Sequence, residues 1–403
     1  MKAKTLTTWG SPLLIAAGLV AQPVMADSLI DALKAGTTTG DIRLRYETVE
    51  QDNPTDDADA LTVRTRLTYK SGSLGGFSGL LEMEDSRSVA AIDDYTVGPT
   101  GFKPGQYSVI ADPQTTELDQ AFIQYKNDIV AVKGGRQVIA LDGQRHVGHV
   151  GWRQDRQTFD GLTVDVTPID DLSIKAGYIT QRNRIFAEAA DVDAKDILLN
   201  VSYKTPVGKV VVYNYMLEVD NDTDNALDTL GVSFDGAVGG DIKFLYSLEL
   251  ATQDSEAAVD YEADYSKIEL GAKIMPVTVK LGQETLGSDD GMYGFSTPLA
   301  TLHKFNGWAD QFLGTPAQGL VDSYLSVGGK AGPVALTLAL HDYEADDATP
   351  AIDDLGDELN ASAVWAINKN YVLGFKYAAY DAGDAAAGKV DTDKIWVWFN
   401  MKW

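Results

Sequence analysis

The arginines are the residues of this sequence whose type and spacing point most directly to chemistry. All eleven lie between Arg43 and Arg184, and the basic residues beyond that point are lysines and histidines. Arg43 and Arg45 alternate with apolar residues, and Arg64 and Arg66 show the same spacing. Because a guanidinium group can bind a carboxylate through two parallel hydrogen bonds, these four side chains on one wall would form a basic ladder for carboxylates or other anions.

Three glutamates are predicted to share the face of this ladder. Glu47 continues the alternation after Arg45, while Glu82 and Glu84 lie in the next alternating segment. Carboxylates at these positions can pair with the arginines. Two compatible interpretations therefore remain open: a salt-bridge network that stiffens a wall, and a selectivity patch that recognises anions.

The most distinctive segment lies between residues 135 and 160. It contains the sequences GRQ at 135–137, DGQR at 142–145, GWRQ at 151–154 and QTFD at 157–160. Its four arginines are Arg136, Arg145, Arg153 and Arg156. They lie on or beside a connection between two predicted strands, and loops positioned by a rigid scaffold commonly carry binding residues.

Two histidines in the same segment are weaker candidates. His146 and His149 are three residues apart, and Asp142 and Asp155 are near them in sequence. Histidine and carboxylate groups can bind metal ions, but polar loop histidines are the favoured interpretation. We therefore predict no metal site and no cofactor here.

Clusters of aspartates occur in several predicted loops. One has a spacing similar to that of a calcium loop, but it lacks the glycine turn and the terminal glutamate of such loops. Its members are Asp220, Asp222, Asp224 and Asp228. Similar clusters at 52–59 and 342–357 could bind divalent cations shared with lipopolysaccharide, or simply keep the loops soluble.

Strands must position these residues, because apolar and polar residues alternate along almost the whole chain. Ile42, Leu44 and Tyr46 form one such face. Each run has about ten residues, the length that a tilted strand needs to cross a bilayer. Eighteen strands are predicted near 40–50, 61–70, 76–87, 116–126, 128–138, 157–167, 171–181, 195–204, 207–219, 227–236, 240–251, 261–274, 276–286, 320–329, 333–343, 357–367, 370–380 and 392–402.

Short turns alternate with longer polar loops between these strands. This is typical of transmembrane barrels, which have short periplasmic turns and long extracellular loops. Prolines are assigned to connections, where no ladder hydrogen bond is lost. Pro168, Pro206, Pro276 and Pro333 fall in predicted short turns, and Pro350 in a long loop. The loops at 139–156 and 287–319 are long enough to fold into a barrel.

The first 26 residues have the features of a cleavable signal peptide. Lys2 and Lys4 give a positive start, an apolar stretch follows, and the sequence VMA precedes Asp27. Residues 27–403 are predicted to form one domain, an all-β transmembrane antiparallel up-and-down barrel of 18 strands. Such a chain would reside in the bacterial outer membrane after export across the inner membrane.

Composition agrees with this fold. The net charge of −26 argues against a nucleic-acid partner, which would need a basic surface. There is no cysteine, which suits export through an oxidising compartment. A barrel reconciles this polarity with a membrane, because alternation hides about half of each strand from lipid.

The segment at 135–160 resembles the GRQ…DxQR…VGWRQ…QTFD stretch of the alginate-export family of outer-membrane porins. A second stretch, at 302–316, resembles another typical loop of that family. The resemblance implies an eighteen-stranded barrel, monomeric rather than trimeric, with arginines facing an anionic solute. By the same resemblance Arg136, Arg145, Arg153 and Arg156 would line or constrict the pore. Because no arginine follows Arg184, at most one wall is arginine-rich.

Three functions remain open at this stage. The favoured one is a passive channel for small hydrophilic solutes, with carboxylates or uronic acids preferred at an arginine-lined constriction. An outer-membrane hydrolase is disfavoured, because no nucleophile motif lies near any of the four histidines. The third is a plugged structural or adhesive barrel. In every case outer-membrane lipid and lipopolysaccharide would surround the protein.

Overall fold

The chain forms a closed β-barrel. The computed structural model describes residues 25–98, 102–223 and 225–403. In this part of the chain, eighteen antiparallel strands form one sheet in which each strand pairs with the next along the chain. The first strand, β1 (Thr37–Gln51), pairs with the last, β20 (Thr392–Lys402), and this pairing closes the barrel. The predicted fold class and strand number are confirmed.

The other strands agree closely with the alternating segments. They are β2 (Ala58–Lys70), β3 (Phe77–Asp94), β4 (Thr115–Lys126), β5 (Val130–Gln137), β6 (Thr158–Ile169), β7 (Leu172–Asn183), β8 (Val192–Thr205), β9 (Gly208–Glu218), β10 (Ala226–Gly239), β11 (Ile242–Glu256), β12 (Tyr261–Ile274), β13 (Val277–Leu286), β16 (Leu320–Ala331), β17 (Val334–Thr349), β18 (Ile352–Ala366) and β19 (Tyr371–Asp381). Two short strands, β14 (Ser288–Asp289) and β15 (Tyr293–Gly294), form a separate hairpin within a loop.

The helical segments are short. Helix α1 (Met25–Lys34) precedes β1, and single 3-10 turns occur at Glu188–Ala190, Leu302–Lys304 and Ala385–Ala387. Among the described residues, no helix is both long and apolar enough to cross a membrane. The predicted cleavage point after Ala26 falls at the start of α1, while residues 1–24 lie outside the described residues. The signal peptide therefore stays a prediction.

Alternation separates the two faces of the barrel wall. On β1, Arg45 and Glu47 are each 1% exposed, whereas Leu44, which precedes Arg45, is 40% exposed. Many large apolar side chains face outward in the same way on the other strands, for example Leu81 and Ile123. Apolar residues outside and charged residues inside are what a bilayer requires of a barrel wall, because a charged side chain facing lipid near the midplane costs about 2–4 kcal/mol.

The connections differ from the predictions at two prolines. Pro168 lies inside β6 instead of the following turn. At this place the pairing of β6 with β7 changes register, so the backbone hydrogen bond that proline cannot donate is not needed. Pro350 was assigned to a long loop, but β17 and β18 continue beyond the membrane region and leave only residues 350–351 between them. Thr349 pairs with Ile352 across this tight turn.

Two long loops fold into the barrel. The first inner loop (138–157) joins β5 to β6, and the second inner loop (287–319) joins β13 to β16. Val147 of the first loop and Phe295, Leu299 and Phe312 of the second belong to a buried apolar cluster that includes inward-facing wall residues such as Tyr343. The barrel therefore has a packed core at the level of these loops.

Candidate functional site

Barrel closure brings basic side chains from both ends of the chain onto one wall. Strands β19, β20, β1 and β2 are neighbours. Their inward faces carry Lys376 on β19, Lys394 on β20 and the four ladder arginines on β1 and β2, all of them buried. We call this surface the basic wall. Its two lysines were not predicted from the sequence. Lys376 lies between the outward-facing Phe375 and Tyr377, whereas Lys394 has an aspartate on one side and Ile395 on the other.

The ladder arginines of the basic wall are mostly engaged by carboxylates. Arg45 bonds to Asp112 and lies 3.2 Å from Glu47. Arg64 lies 2.7 Å from Asp41. These contacts support the interpretation of a salt-bridge network for part of the ladder.

The other two ladder arginines reach the first inner loop. Arg66 pairs with Glu84 and also contacts the carbonyl of Gln154 at 3.3 Å. Arg43 donates from Nε to Gln154 Oε1 at 2.9 Å and from Nη1 to the Gly151 carbonyl at 3.2 Å. Among the described residues Arg43 has no carboxylate partner, so its positive charge is balanced only by dipoles.

Three arginines fasten the first inner loop to the walls. Arg153 Nη1 donates to both oxygens of Glu47 at 2.9 and 3.0 Å. Arg156 pairs with Glu82 and lies 2.7 Å from Asp119. The third, Arg145, reaches β13. The predicted glutamates therefore serve as wall acceptors for arginines.

The adjoining wall, from β13 to β18, is acidic and receives both inner loops. Arg145 lies 2.8 Å from Glu284 on β13. Asn306 of the second inner loop accepts from Arg145 at 3.1 Å and donates to Glu284 at 2.8 Å. On β18, Glu358 accepts the backbone N–H of Ala309 at 2.8 Å. These wall glutamates were missed from the sequence, where only their inward position in the alternation marks them.

Arg136 lies apart from the inner loops. It is on β5, and its guanidinium group binds Asp160 of β6 through bonds of 2.8 and 3.0 Å. Both side chains are about one quarter exposed. The structure therefore does not bring Arg136 together with the other three arginines of the distinctive segment.

A single carboxylate joins the second inner loop to the basic wall. Asp310 lies 3.1 Å from Arg153, 3.0 Å from Lys394 and 2.6 Å from His303. Burial alone would raise the pKa of Asp310, but the hydrogen bond from His303 and the positive charges of Lys394 and Arg153 hold it well below its usual range. Asp310 therefore stays ionised at any physiological pH.

His303 is buried beside this carboxylate as a neutral ring. Its Nε2 accepts from Lys376 Nζ at 2.7 Å, so the proton lies on Nδ1 and is donated to Asp310. Burial lowers the pKa of His303 to about 3; Asp310 opposes this shift, and Lys376 adds to it. The imidazole is thus a fixed hydrogen-bond bridge.

Aromatic rings surround the same group of charges. Trp152 of the first inner loop stacks on His303 of the second, with ring centroids 5.0 Å apart. The ammonium of Lys376 lies 4.5 Å from the Trp152 ring and 3.8 Å from the Trp308 ring. Cation–π attraction is strongest where the cation is desolvated, so these rings stabilise a buried lysine that has no carboxylate partner among the described residues.

A cavity of about 440 Å³ opens beside this cluster, between the two inner loops and the connection from β7 to β8. We call it the vestibule. Arg184, Lys394 and Arg153 supply its positive charge, and much of the remaining lining is apolar, including Phe186 and Leu302. The Arg184 guanidinium donates to the Pro298 carbonyl at 3.2 Å. Within the part of the chain described, it has no carboxylate within salt-bridge distance.

The two loop histidines have separate surroundings. His146 lies 2.8 Å from the Tyr213 hydroxyl and 3.1 Å from Glu249. Burial lowers the pKa of His149, and the charge of Arg156 adds to that shift. Neither belongs to a group of metal-ligand type in the described residues. Of the four aspartates with calcium-loop spacing, Asp224 lies outside the described residues.

Comparison with known proteins places these features in a family. The family model described as alginate export matches residues 37–267, more than half of the chain. The match includes the first inner loop and ends before the second. No curated protein sequence matches this chain.

Solved structures of outer-membrane porins have the same fold. Acinetobacter baumannii OccAB4 has a TM-score of 0.72 at 13% identity, over 91% of this chain and 98% of that chain. Pseudomonas aeruginosa OpdK with vanillate has a TM-score of 0.70 at 14% identity, over 91% and 98%. A BenF-like porin from Pseudomonas fluorescens Pf-5 has a TM-score of 0.70 at 14% identity, over 92% and 100%. On the family match and this fold, the chain is an outer-membrane β-barrel that belongs to the alginate-export family.

Proposed function

We propose that this barrel is a passive channel for small hydrophilic solutes and that it favours anions that carry a carboxylate. The observation that carries the proposal is the vestibule, where Arg184, Lys394 and Arg153 face one cavity between the inner loops. Fixed positive charges in a narrow passage raise the local concentration of anions. No catalytic step is part of the proposal.

Arg184 is the residue of the vestibule best suited to bind a solute. Lys394 and Arg153 are partly neutralised by Asp310, whereas the guanidinium of Arg184 has, among the described residues, only a backbone carbonyl as partner. An arginine in this state can offer its remaining N–H groups to a carboxylate in a forked arrangement. The ladder arginines and Arg145, Arg153 and Arg156 are then expected to act mainly by shaping the constriction around that site.

The lining of the vestibule suggests the kind of solute. Its apolar side chains, among them Val109, Phe186, Leu302 and Leu313, would contact an apolar or aromatic body, and Arg184 its carboxylate. A volume of about 440 Å³ suits one small molecule. Vanillate, present in the OpdK structure, is such an aromatic carboxylate. A uronic acid carries the same charge, but its hydroxyl groups would find fewer partners there.

Planar-bilayer recordings test both parts of the proposal. Purified protein should give an ion current. In a salt gradient, the reversal potential should be displaced towards the equilibrium potential of the anion. Addition of benzoate should block or reduce the current at lower concentration than glucuronate. The absence of current from correctly folded protein would overturn the channel, and equal effects of benzoate, glucuronate and uncharged glucose would overturn the carboxylate preference.

A plugged structural or adhesive barrel is the second candidate. It is favoured by the ion pairs Arg153–Glu47 and Arg145–Glu284, which tie the first inner loop to β1 and to β13. A plug held in this way would leave bilayer conductance at the background level until the loops are loosened. Wild-type current therefore decides between the two candidates.

The remaining partners are part of the same proposal. Membrane lipid contacts the apolar outer face, and lipopolysaccharide with divalent cations would meet the acidic clusters at 52–59 and 342–357. We propose a monomer, as the resemblance to the alginate-export family implies. Mass measurement of the detergent-solubilised protein by light scattering tests this point, and a trimer would contradict it.

A further inference from the structure

Three carboxylates from separate parts of the chain meet inside the barrel beneath the first inner loop. They are Glu84 on β3, Glu117 on β4 and Asp155 in that loop, and each offers an oxygen within 4.8 Å of the other two. Glu84 and Glu117 are direct partners in the β3–β4 ladder. Like charges directly opposite each other destabilise a sheet, and the loop adds a third negative charge at the same place.

The nearby arginines do not balance this charge. Arg66 pairs with Glu84, and Arg156 pairs with Glu82 and Asp119. Neither Glu117 nor Asp155 has a lysine, arginine or histidine within salt-bridge distance in the described ranges. Five carboxylates therefore share two guanidinium groups, and the surplus is concentrated on Glu117 and Asp155.

Two buried oxygens of this group have no hydrogen-bond donor. Glu84 and Asp155 are each 0% exposed, and in the described part of the chain Glu84 Oε1 and Asp155 Oδ1 accept no hydrogen bond. Their other oxygens are occupied: Glu84 Oε2 by Arg66, and Asp155 Oδ2 by the backbone N–H of Ala187 at 3.3 Å. A buried carboxylate oxygen without a partner loses its hydration without compensation.

We infer that Glu84, Glu117 and Asp155 bind a calcium ion that fastens the first inner loop to the β3–β4 wall. Calcium takes six to eight oxygen ligands at about 2.3–2.6 Å, so oxygens on opposite sides of one ion lie about 5 Å apart. The separation within this group fits that distance. Carboxylates can bind calcium through one or both oxygens, and water can complete the shell.

The geometry gives the ion a definite role. Asp155 lies between Gln154, which binds Arg43, and Arg156, which binds Asp119. A cation bound by Asp155, Glu84 and Glu117 would be a third attachment of this stretch of loop, in addition to those of Gln154 and Arg156, and would hold it to β3 and β4. Since this inference concerns ion binding and loop stability, it does not depend on whether the barrel conducts solutes.

Calcium titration of the purified full-length protein in detergent, after chelator treatment, tests the inference. Isothermal titration calorimetry should detect one calcium ion bound more tightly than those at the acidic outer loops. Asp155→Asn and Glu117→Gln should each weaken this site about tenfold or more, since each removes one charged ligand. Glu188→Gln is the matched control: Glu188 is an exposed carboxylate in the neighbouring connection, and its variant should titrate as wild type does.

Thermal unfolding with calcium or with chelator gives the second readout. Wild type and Glu188→Gln should melt at a higher temperature with calcium, and Asp155→Asn should lose that difference. Glu117 is partly exposed, so Glu117→Gln keeps the test open if Asp155→Asn fails to fold. The inference would be overturned if wild type and Glu117→Gln bound calcium equally in the titration, or if calcium did not change the melting temperature of wild type. In either case the three carboxylates would share a proton instead of a calcium ion.

Discussion

Arg153 of the first inner loop and Glu47 of β1 form a buried pair in which one guanidinium nitrogen lies 2.9 and 3.0 Å from the two carboxylate oxygens. Arg153 also reaches Asp310 of the second inner loop at 3.1 Å. One side chain thus joins the basic wall to both inner loops. The width of the passage depends on this residue even if no solute touches it.

Removal of one partner of this pair should loosen the inner loops. Arg153→Ala leaves Glu47 with Arg45 and Asp310 with Lys394 as remaining cations. Breaking a buried pair costs about 3–5 kcal/mol when the remaining charge has no partner, so the loss here should be smaller than that. We expect a lower unfolding temperature in detergent and a larger, noisier single-channel conductance. Arg136→Ala is the control, because its pair with Asp160 is partly exposed and such pairs contribute about 0–1 kcal/mol. Similar losses in the two variants would contradict the proposed role of Arg153.

Substitution of Lys376 should affect the stability of the barrel less than substitution of Trp152 beside it. Lys376→Met removes a buried charge that has no carboxylate partner and keeps the shape of the side chain, so stability should be unchanged or higher. Trp152→Ala removes a ring that contacts His303, Lys376 and Arg45, which should cost about 3–5 kcal/mol. Chemical denaturation measured by tryptophan fluorescence and by gel mobility compares them. A marked loss for Lys376→Met would show that the ammonium itself is required.

Acid should weaken the packing of the second inner loop through His303. Its pKa is about 3 in the folded barrel against about 6.5 in an unfolded chain. Between these values the unfolded state binds the extra proton, so stability falls as pH falls from about 6.5 towards 3, by up to about 1.4 kcal/mol per pH unit. Unfolding of wild type and His303→Gln at several pH values measures this slope. The slope should be smaller for the variant, and identical slopes would contradict the assignment.

The alternation of side chains made the wall predictable. For β12 the predicted and observed bounds are the same, 261–274, because every second residue must suit lipid and the pattern is strong there. Above the membrane that requirement ends. The acidic segment around Pro350 therefore looks like a loop in sequence, although β17 and β18 continue through it. Strand pairing, which sequence composition does not record, decides its structure.

The site was predictable only as a set of inward positions. The alternation places Arg45 and Glu47 on the inner face, and it would have placed Lys376 there as well. It gives no sign that Arg153 reaches a partner 106 positions away or that Asp310 contacts Arg153, Lys394 and His303. Such contacts depend on how two loops fold within the barrel, so they leave no periodic signal.

The anion preference should depend on Arg184 more than on any ladder arginine. Arg184 faces the vestibule with a carbonyl as its only hydrogen-bond acceptor among the described residues. One unit charge about 4 Å from an ion in water contributes about 1 kcal/mol, which favours an anion and disfavours a cation. Arg184→Ala should therefore lower the anion-to-cation permeability ratio by up to about thirtyfold. Arg87→Ala removes the same charge from an exposed pair with Asp85, away from the vestibule, and serves as the control. Reversal potentials in a salt gradient measure both variants. If the reversal potential shifts as much in Arg87→Ala as in Arg184→Ala, selectivity follows the total charge of the protein. If the permeability ratio is unchanged in Arg184→Ala, Arg184 does not lie on the solute path.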